Sequence, residues 1–410
     1  MNIREDAEQI IRESIKQVLP DEAVARALRG RSFGLGKVLV VAAGKAAWRM
    51  AQTAAHILGD KISNGVVVTK CGHAEAEIPG MICYEGGHPV PDENSFRGTQ
   101  AALDMVSGLK PEDTVLFLLS GGGSALFEKP LIPGDELSDI TGQLLACGAD
   151  IVEINTIRKR LSAVKGGGFA KLCEPARILS VILSDVLENP LDMIASGPAC
   201  PDSTTCDDAM AVISKYRLRL SERAMECMRR ETPKELANVE TVIAGSVSDL
   251  CRAAAEECRK LNYETILLTD RLCCEAKEAG SFLASIARSH GNTDRSLAFI
   301  AGGETVVHLT GRGKGGRNQE LALSAARGIA GLKDTAVFSV GSDGTDGPTD
   351  AAGGYCDGGT KTVLAAQGVD IYEALRQNDA YTALSKCNGL LMTGPTGTNV
   401  NDVAVVLIKR

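Results

Sequence analysis

The chain has 410 residues, of which 44% are hydrophobic and 23% charged, and its formal net charge is -8. An ordinary domain takes roughly 150 residues, so this length predicts two or three domains, and the composition is that of a globular protein rather than a disordered or fibrous one. The acidic net charge argues against a nucleic-acid binder, which presents a basic surface to the phosphate backbone.

Cysteine spacing and hydropathy argue against further classes of protein. The 13 cysteines are scattered, include no CxxC pair and are odd in number, so neither a disulfide framework nor a zinc site is indicated. The N-terminal segment is charged and lacks the apolar core of a signal peptide. No apolar run approaches the length of about 18 residues that a membrane-spanning helix requires. We therefore expect a cytoplasmic protein that binds neither membrane nor nucleic acid.

The first half of the chain alternates short hydrophobic strands with longer helical segments. The strands are predicted at 37–42, 65–69, 114–119 and 177–183, and the helices at 46–58, 92–107 and 135–152. Nearly continuous hydrophobic strands are typical of a parallel sheet that is covered on both faces. The βαβ order predicts an α/β fold whose N-terminal domain is a doubly wound, Rossmann-like parallel sheet.

A polar loop near residues 231–235 marks the predicted domain boundary, which gives an N-terminal domain at 1–235 and a second α/β domain at 236–410. The strands of the second series are predicted at 240–244, 264–269, 296–301, 304–309, 335–340 and 402–408. Gly302 and Gly303 separate two of these strands in the manner of a hairpin, so the second sheet is predicted to be mixed.

The clearest candidate for a ligand site is the loop Ser120-Gly121-Gly122-Gly123-Ser124, which follows a predicted strand. In open α/β sheets, ligands collect at the carboxyl ends of the strands. Glycine lets the backbone approach a ligand closely, and serine hydroxyls can bind oxygen atoms. The loop is either a plain tight turn or an anion site, and two serines around three glycines favour the anion site. The GxxxxGK[ST] spacing of a Walker A loop is absent.

Two other strand ends in the first half carry charged residues. Lys45 follows Gly44 at a strand-helix junction, where an ammonium group can reach a phosphoryl oxygen. Asp185 follows the strand predicted at 177–183, where a carboxylate can hold magnesium, accept the proton of an attacking hydroxyl, or cap a helix. The segment around Lys45 shows no GxGxxG, which argues against dinucleotide binding.

A basic glycine loop at 311–316 leads into a predicted helix in the second half. Cations at a helix N-terminus are unfavourable unless an anion binds there. Arginine also offers a planar fork that suits carboxylate or phosphate. Lys314, Arg317 and Asn318 are therefore candidate anion-binding residues, and a solvated basic loop is the alternative.

Acidic and amide side chains follow in two later loops. The segment 341–350 places three aspartates behind a strand, and such crowding favours a bound divalent cation or a lysine partner. Asp343 and Asp346 are the candidate ligands, although the segment lacks the glutamate that ends an EF-hand loop. The polar loop that contains Asn399 either lines the same cleft or is only a turn.

Taken together, ten short motifs resemble the bacterial glycerate 2-kinase family, and their order spans residues 35–408. They are Ala43-Gly44-Lys45, Gly87 to Asp92, Leu119 to Ser124, Lys165 to Gly168, Leu183-Ser184-Asp185, Ser196-Gly197-Pro198, Gly302 to Thr305, Gly316 to Glu320, Gly341 to Asp350 and Asn399 to Asp402. The resemblance implies transfer of the γ-phosphoryl group of ATP to the 2-hydroxyl of D-glycerate, with Mg²⁺ as cofactor. It also implies a C-terminal domain of the MOFRL type and an active site in the cleft between the domains.

The resemblance assigns catalytic roles to Lys45, Asp185 and Arg317. The remaining candidates are Ser120, Gly121, Gly122, Gly123, Ser124, Lys314, Asn318 and Asn399 for substrate or phosphate, and Asp185, Asp343 and Asp346 for the metal. One alternative is an NAD(P)H-dependent hydroxypyruvate reductase, against which the missing GxGxxG counts. Another is a metabolite sensor without turnover. The expected partners are the small molecules ATP and D-glycerate, and the oligomeric state stays open, with a homodimer as one arrangement.

Overall fold

A computed structural model describes residues 2–188 and 190–410. The chain forms two compact units, one at Ala23–Ala244 and one that joins residues 2–22 to Gly245–Arg410. We call them the parallel-sheet unit and the mixed-sheet unit. The boundary predicted at 235/236 falls inside the parallel-sheet unit, and the N-terminal helix belongs with the C-terminal half of the chain.

The helices and strands have the following bounds. The strands are β1 Val38–Ala43, β2 Ile62–Lys70, β3 Met81–Gly86, β4 Thr114–Leu119, β5 Arg177–Leu183, β6 Val239–Gly245, β7 Glu264–Leu272, β8 Leu297–Gly303, β9 Thr335–Gly341, β10 Gly353–Asp357, β11 Leu390–Leu391 and β12 Asp402–Ile408. The helices are α1 Ile3–Gln17, α2 Pro20–Leu28, α3 Ala47–Leu58, α4 Glu93–Met105, α5 Gly123–Leu126, α6 Gly134–Ala146, α7 Ile151–Arg160, α8 Gly168–Leu172, α9 Cys206–Tyr216, α10 Glu222–Met228, α11 Val247–Lys260, α12 Ala276–Ser289, α13 Arg317–Gly328, α14 Thr360–Ala366, α15 Ile371–Arg376 and α16 Ala380–Ser385.

The first sheet has the strand order β3-β2-β1-β4-β5-β6. The pairings of β1 with β2 and β4, of β2 with β3 and of β4 with β5 are parallel. Successive residues of a strand point to opposite faces, and in β1 Val40 and Ala42 join one buried cluster while Val41 and Ala43 join another. The sheet is thus covered on both faces, and the prediction of a doubly wound parallel sheet is confirmed.

The second sheet has the strand order β11-β10-β9-β12-β8-β7. Strand β7 runs parallel to β8, whereas β12 is antiparallel to both β8 and β9, and β10 is antiparallel to β9 and β11. The prediction of a mixed sheet is therefore confirmed. Helix α1 packs in this unit, where Asp6 accepts hydrogen bonds from Tyr263 and Lys409.

The strand predicted at 304–309 is wrong, and so is the hairpin at Gly302 and Gly303. After β8 the N–H of Glu304 donates to Leu272 O at 2.7 Å and that of Val306 to Cys274 O at 3.1 Å. The chain therefore continues beside the end of β7 instead of folding back on β8. The mixed character of the sheet comes from β9, β10 and β12 instead.

Three further differences from the predicted helices and strands concern a strand's sheet, a divided helix and strands that were not predicted. The strand predicted at 240–244 is β6, which belongs to the first sheet. The helix predicted at 135–152 is two helices, because Asp150 accepts a hydrogen bond from Glu153 N and starts α7 anew. The strands β3, β10 and β11 were not predicted. Within the described residues, no helix is both long and apolar enough to cross a membrane.

Candidate active site

The loops after β1 and β4 lie side by side because these strands are parallel neighbours. Lys45 N donates to Gly121 O at 2.9 Å, Ala46 N donates to Ser120 Oγ at 3.0 Å, and Ser120 N donates to Ala43 O at 3.0 Å. The Ser120 side chain is buried between the two loops. The structure thus brings Lys45 and the glycine loop together, with Ser120 serving as their link.

Asp185 lies against the same loop from the end of β5. A side chain at Gly121 would overlap the Asp185 carboxylate. A Cβ atom at Gly122 would lie 3.2 Å from Lys45 Cγ and 3.0 Å from His88 Cδ2. Gly122 also has a φ of 85°, which favours glycine. Two adjacent glycines therefore separate a carboxylate from a lysine and a histidine.

Side chains of α7 fix the end of the glycine loop at Ser124 through hydrogen bonds. Arg158 Nη2 donates to Ser124 O at 3.0 Å, and Ser124 Oγ lies 3.4 Å from Ser196 Oγ. Ser196 Oγ in turn donates to Asn155 Oδ1 at 2.8 Å. Ala195 and Ser196 have φ values of 52° and 61°, a strained conformation for residues other than glycine that occurs where the surrounding structure enforces it. This packing fixes the position of Ser124.

Arg317 begins α13 and is paired with two carboxylates. Its Nε donates to Asp402 Oδ2 at 2.6 Å, its Nη2 to Asp402 Oδ1 at 3.1 Å, and its Nη1 to Glu304 Oε1 at 2.7 Å. The start of β12 lies opposite the ends of β8 and β9, where Asp402 pairs with Gly303 and Gly341. Burial raises the pKa of Asp402 to about 6, although the Arg317 guanidinium opposes the rise.

The anion at the N-terminus of α13 is supplied by the chain itself. Asp346 is buried and accepts hydrogen bonds from Asn318 N at 3.1 Å and Gln319 N at 2.9 Å. Burial raises the pKa of Asp346, against the effect of these N–H donors. The expectation that this helix end requires an anionic ligand is therefore met by Asp346.

The other predicted binding residues of the mixed-sheet unit have internal partners as well. Asn318 is buried, with its Oδ1 accepting from Ser339 Oγ at 2.5 Å. The Lys314 ammonium lies 3.9 Å from the centre of the Tyr381 ring. Asn399 Oδ1 accepts from Asn401 N at 3.2 Å. Roles for Lys314, Asn318 and Asn399 in phosphate binding stay predictions.

The predicted metal ligands are not gathered into one cluster. Among residues 2–188 and 190–410, no group of three His, Cys, Asp or Glu side chains is arranged to hold a metal ion. Asp346 does not fit the role, because its carboxylate caps α13. Mg²⁺ usually takes only one or two protein carboxylates and completes its shell with phosphate oxygens and water. Asp185 and Asp343 each fit as such a single carboxylate.

Four residues near these sites were not predicted as site residues. They are His88 and Lys70 in the parallel-sheet unit, and Glu304 and Asp402 in the mixed-sheet unit. His88, Glu304 and Asp402 stood in motifs already noted, next to glycines or at a strand end. For His88 and Glu304 the available signal was a polar residue beside a glycine after a strand, whereas Lys70 ends β2 without an adjacent glycine.

Comparisons with known proteins cover the whole chain. The family model described as a domain of unknown function, DUF4147, matches residues 6–229, and the MOFRL family model matches residues 297–402. The D-glycerate 2-kinase of Thermotoga maritima is 51% identical over 99% of both chains, and the glycerate 2-kinase of Pyrococcus horikoshii is 41% identical over 100% of this chain and 98% of its own.

The chain is also similar to a solved structure and to a relative that carries a different name. The crystal structure of the glycerate kinase from Thermotoga maritima superimposes with a TM-score of 0.95 at 51% identity, over 98% of this chain and 99% of that one. A relative from Agrobacterium vitis that carries a hydroxypyruvate reductase name is 38% identical over 91% of this chain and 100% of its own. On these matches, the chain belongs to the glycerate 2-kinase family.

Proposed function

We propose that this chain transfers the γ-phosphoryl group of ATP to the 2-hydroxyl of D-glycerate, forming 2-phosphoglycerate and ADP. The two relatives of higher identity, both named for glycerate 2-kinase activity, support this substrate pair. The observation that carries the proposal is the arrangement of Lys45 and Asp185 on either side of Gly121 and Gly122. Phosphoryl transfer needs positioning and charge neutralisation, and these residue types provide both.

In the proposed reaction, the 2-hydroxyl oxygen of glycerate forms a bond to the γ-phosphorus while its proton passes to the Asp185 carboxylate. The bond from the γ-phosphorus to the β–γ bridging oxygen breaks, and ADP leaves with the electron pair. Lys45 stabilises the negative charge on the transferred group at the glycine loop. Arg317 is proposed to stabilise phosphate charge as well, through a guanidinium that Asp402 already orients.

Mg²⁺ is part of the proposal, with Asp185 or Asp343 as the single carboxylate that would hold it. When bound, the ion would neutralise charge on the ATP phosphates. Asp185 then has two candidate roles, as proton acceptor and as metal ligand. Measuring the activity of an Asp185→Asn variant at increasing Mg²⁺ concentration separates the two roles. A large rise in the Mg²⁺ concentration required indicates that Asp185 is a metal ligand. A rate that stays low at saturating Mg²⁺ indicates that Asp185 is the proton acceptor.

ADP release measured beside NADH absorbance tests the function. ADP formation that requires both D-glycerate and Mg²⁺ supports the kinase, whereas NADH consumption with hydroxypyruvate and no ADP would support the reductase. Neither activity would support a sensor. The cytoplasmic location and the homodimer also stay proposals; light scattering of the purified chain tests the latter.

A further inference from the structure

Three side chains beside the glycine loop, two lysines and a histidine, lack a partner. Within residues 2–188 and 190–410, no hydrogen bond or ion pair engages the ammonium groups of Lys45 and Lys70 or the ring nitrogens of His88, although all three residues are partly buried. Other lysines of the same unit are paired when buried: Lys159 contacts Asp192 and Asp202, for example. Partly buried cations without a counter-charge are costly, which points to an anion that is supplied from outside the chain.

His88 and Lys45 lie at one point on the loop: a Cβ atom at Gly122 would lie 3.2 Å from His88 Nε2 and 3.2 Å from Lys45 Cγ. Burial lowers the pKa of His88, and the charges of Lys45, Lys70 and then His73 lower it further, so the His88 imidazole lies in a region of positive potential. The nearby Glu85 carboxylate accepts from Gly72 N at 2.7 Å and Ala74 N at 3.2 Å rather than from any of these three side chains.

A carboxylate of the chain limits what kind of anion fits. Asp185 lies against Gly121, the residue directly before Gly122, and successive Cα atoms are about 3.8 Å apart. The proposed reaction already assigns Lys45 to the transferred phosphoryl group, so Lys70 and His88 are left for the anionic group of the second substrate. A 2-hydroxy acid carries its carboxylate one carbon away from its hydroxyl. Its two ends match a cationic pocket and a neighbouring proton acceptor.

We propose that His88 and Lys70 bind the carboxylate of the 2-hydroxy acid, so that its hydroxyl faces Asp185. The inference rests on the proposed function for the identity of the acid, and it names the residues that select a hydroxy acid over an uncharged diol. His88 and Lys70 are specificity-determining residues in this account, and neither takes part in moving the proton.

Binding and kinetics of His88→Gln and Lys70→Met variants test the proposal. The matched control is His56→Gln, an exposed histidine of α3. Loss of a hydrogen bond to a charged group predicts that KM for D-glycerate rises about tenfold or more in each variant. KM for ATP and kcat stay within about threefold of the wild type, because the ATP contacts are untouched. The control leaves all three constants unchanged.

Calorimetric binding of D-glycerate and of uncharged D-glyceramide provides a readout that does not depend on turnover. The wild type prefers the acid over the amide, and this preference shrinks about tenfold in the His88→Gln and Lys70→Met variants. Equal preference in the variants and the wild type, or a rise in KM for ATP instead of D-glycerate, would overturn the proposal. Failure of the proposed function is a different result, namely no ADP from the wild type despite D-glycerate binding that depends on His88.

Discussion

Arg317 and Asp402 form a two-point ion pair, with Nε–Oδ2 at 2.6 Å and Nη2–Oδ1 at 3.1 Å, between residues 85 positions apart in the sequence. Such a fork-to-carboxylate pair fixes the plane of the guanidinium as well as its position. The third contact, Nη1 to Glu304 Oε1 at 2.7 Å, involves a carboxylate whose side chain is 46% exposed. Asp402 is therefore the orienting partner, and Glu304 is the one that we propose a phosphate replaces.

This difference between the two carboxylates predicts unequal effects of their removal. Asp402→Asn should lower kcat for ADP formation by about tenfold or more, since the arginine loses its fixed plane, and Arg317→Ala by about 10³-fold or more if it acts on the transferred phosphoryl group. Glu304→Gln should keep kcat within about threefold and lower KM for ATP, because it competes less for the guanidinium. Steady-state kinetics decide this, and equal losses in the Asp402 and Glu304 variants would contradict the assignment.

The pKa of Asp402, raised by burial to about 6, predicts an acid limb in the rate profile. As pH falls from 7.5 to 5 the carboxyl takes up a proton, its pair with Arg317 weakens, and kcat falls. The effect on folding has the opposite sign: a carboxyl whose folded pKa lies above its ordinary value contributes stability below that ordinary value and loses it as pH rises through about 6. A kcat profile of the Asp402→Asn variant should lack this limb; a limb of unchanged midpoint would assign it to another group.

Gly121 should tolerate no side chain, since a Cβ atom there would overlap the Asp185 carboxylate. We expect Gly121→Ala to lose most activity while its thermal unfolding stays close to that of the wild type, because the displaced group is one side chain at the end of β5. Gly142→Ala is the matched control: its Cβ would meet nothing within 4 Å, and its place inside α6 favours alanine. Full activity in Gly121→Ala would show that the position of Asp185 is unimportant.

The buried pair of Lys165 and Glu128 predicts a stability effect without a role in the reaction. Their Nζ and Oε2 atoms are 2.6 Å apart and both side chains are inaccessible to solvent; burial lowers the pKa of Lys165 to about 8. Lys165→Met leaves the buried Glu128 carboxylate with only the more distant Arg158 Nη2, at 3.9 Å, and should cost about 3 to 5 kcal/mol in the free energy of unfolding. The double variant with Glu128→Gln should recover part of the loss.

Urea unfolding followed by tryptophan fluorescence measures this effect where it occurs. Trp48 is the single tryptophan of the chain and is buried in α3 of the same unit. A double variant no more stable than Lys165→Met alone would contradict the account, because the penalty would then not come from the stranded carboxylate.

The sequence predicted best what depends on neighbouring residues. Strands β4 and β5 match their predicted bounds because they are nearly continuous hydrophobic runs, buried almost throughout. Strand β3 was missed since it lies at a sheet edge with mixed exposure, and β10 since it begins with Gly353 and Gly354, which indicate a turn. A local sequence pattern therefore predicts which residues are buried, but it does not predict which strands or side chains they contact.

The same limit explains the site predictions. Lys45, Asp185 and the glycine loop were found together, because each follows a strand of one parallel sheet and such ends share an edge. The capping role of Asp346 depends on its meeting α13 in space, which no local spacing reveals. The two partners of Arg317 belong to segments that only the mixed strand order brings together.

The most direct test of the central claim is ³¹P NMR of a reaction that contains ATP, D-glycerate and Mg²⁺, run with the wild type, Lys45→Ala and Asp185→Asn. The account predicts equal amounts of ADP and 2-phosphoglycerate from the wild type, and a rate at least about 10³-fold lower from each folded variant. Phosphorylation at the 3-hydroxyl would contradict the proposed regiochemistry. Wild-type rates in both variants would contradict the claim that Lys45 and Asp185 carry the reaction at the glycine loop.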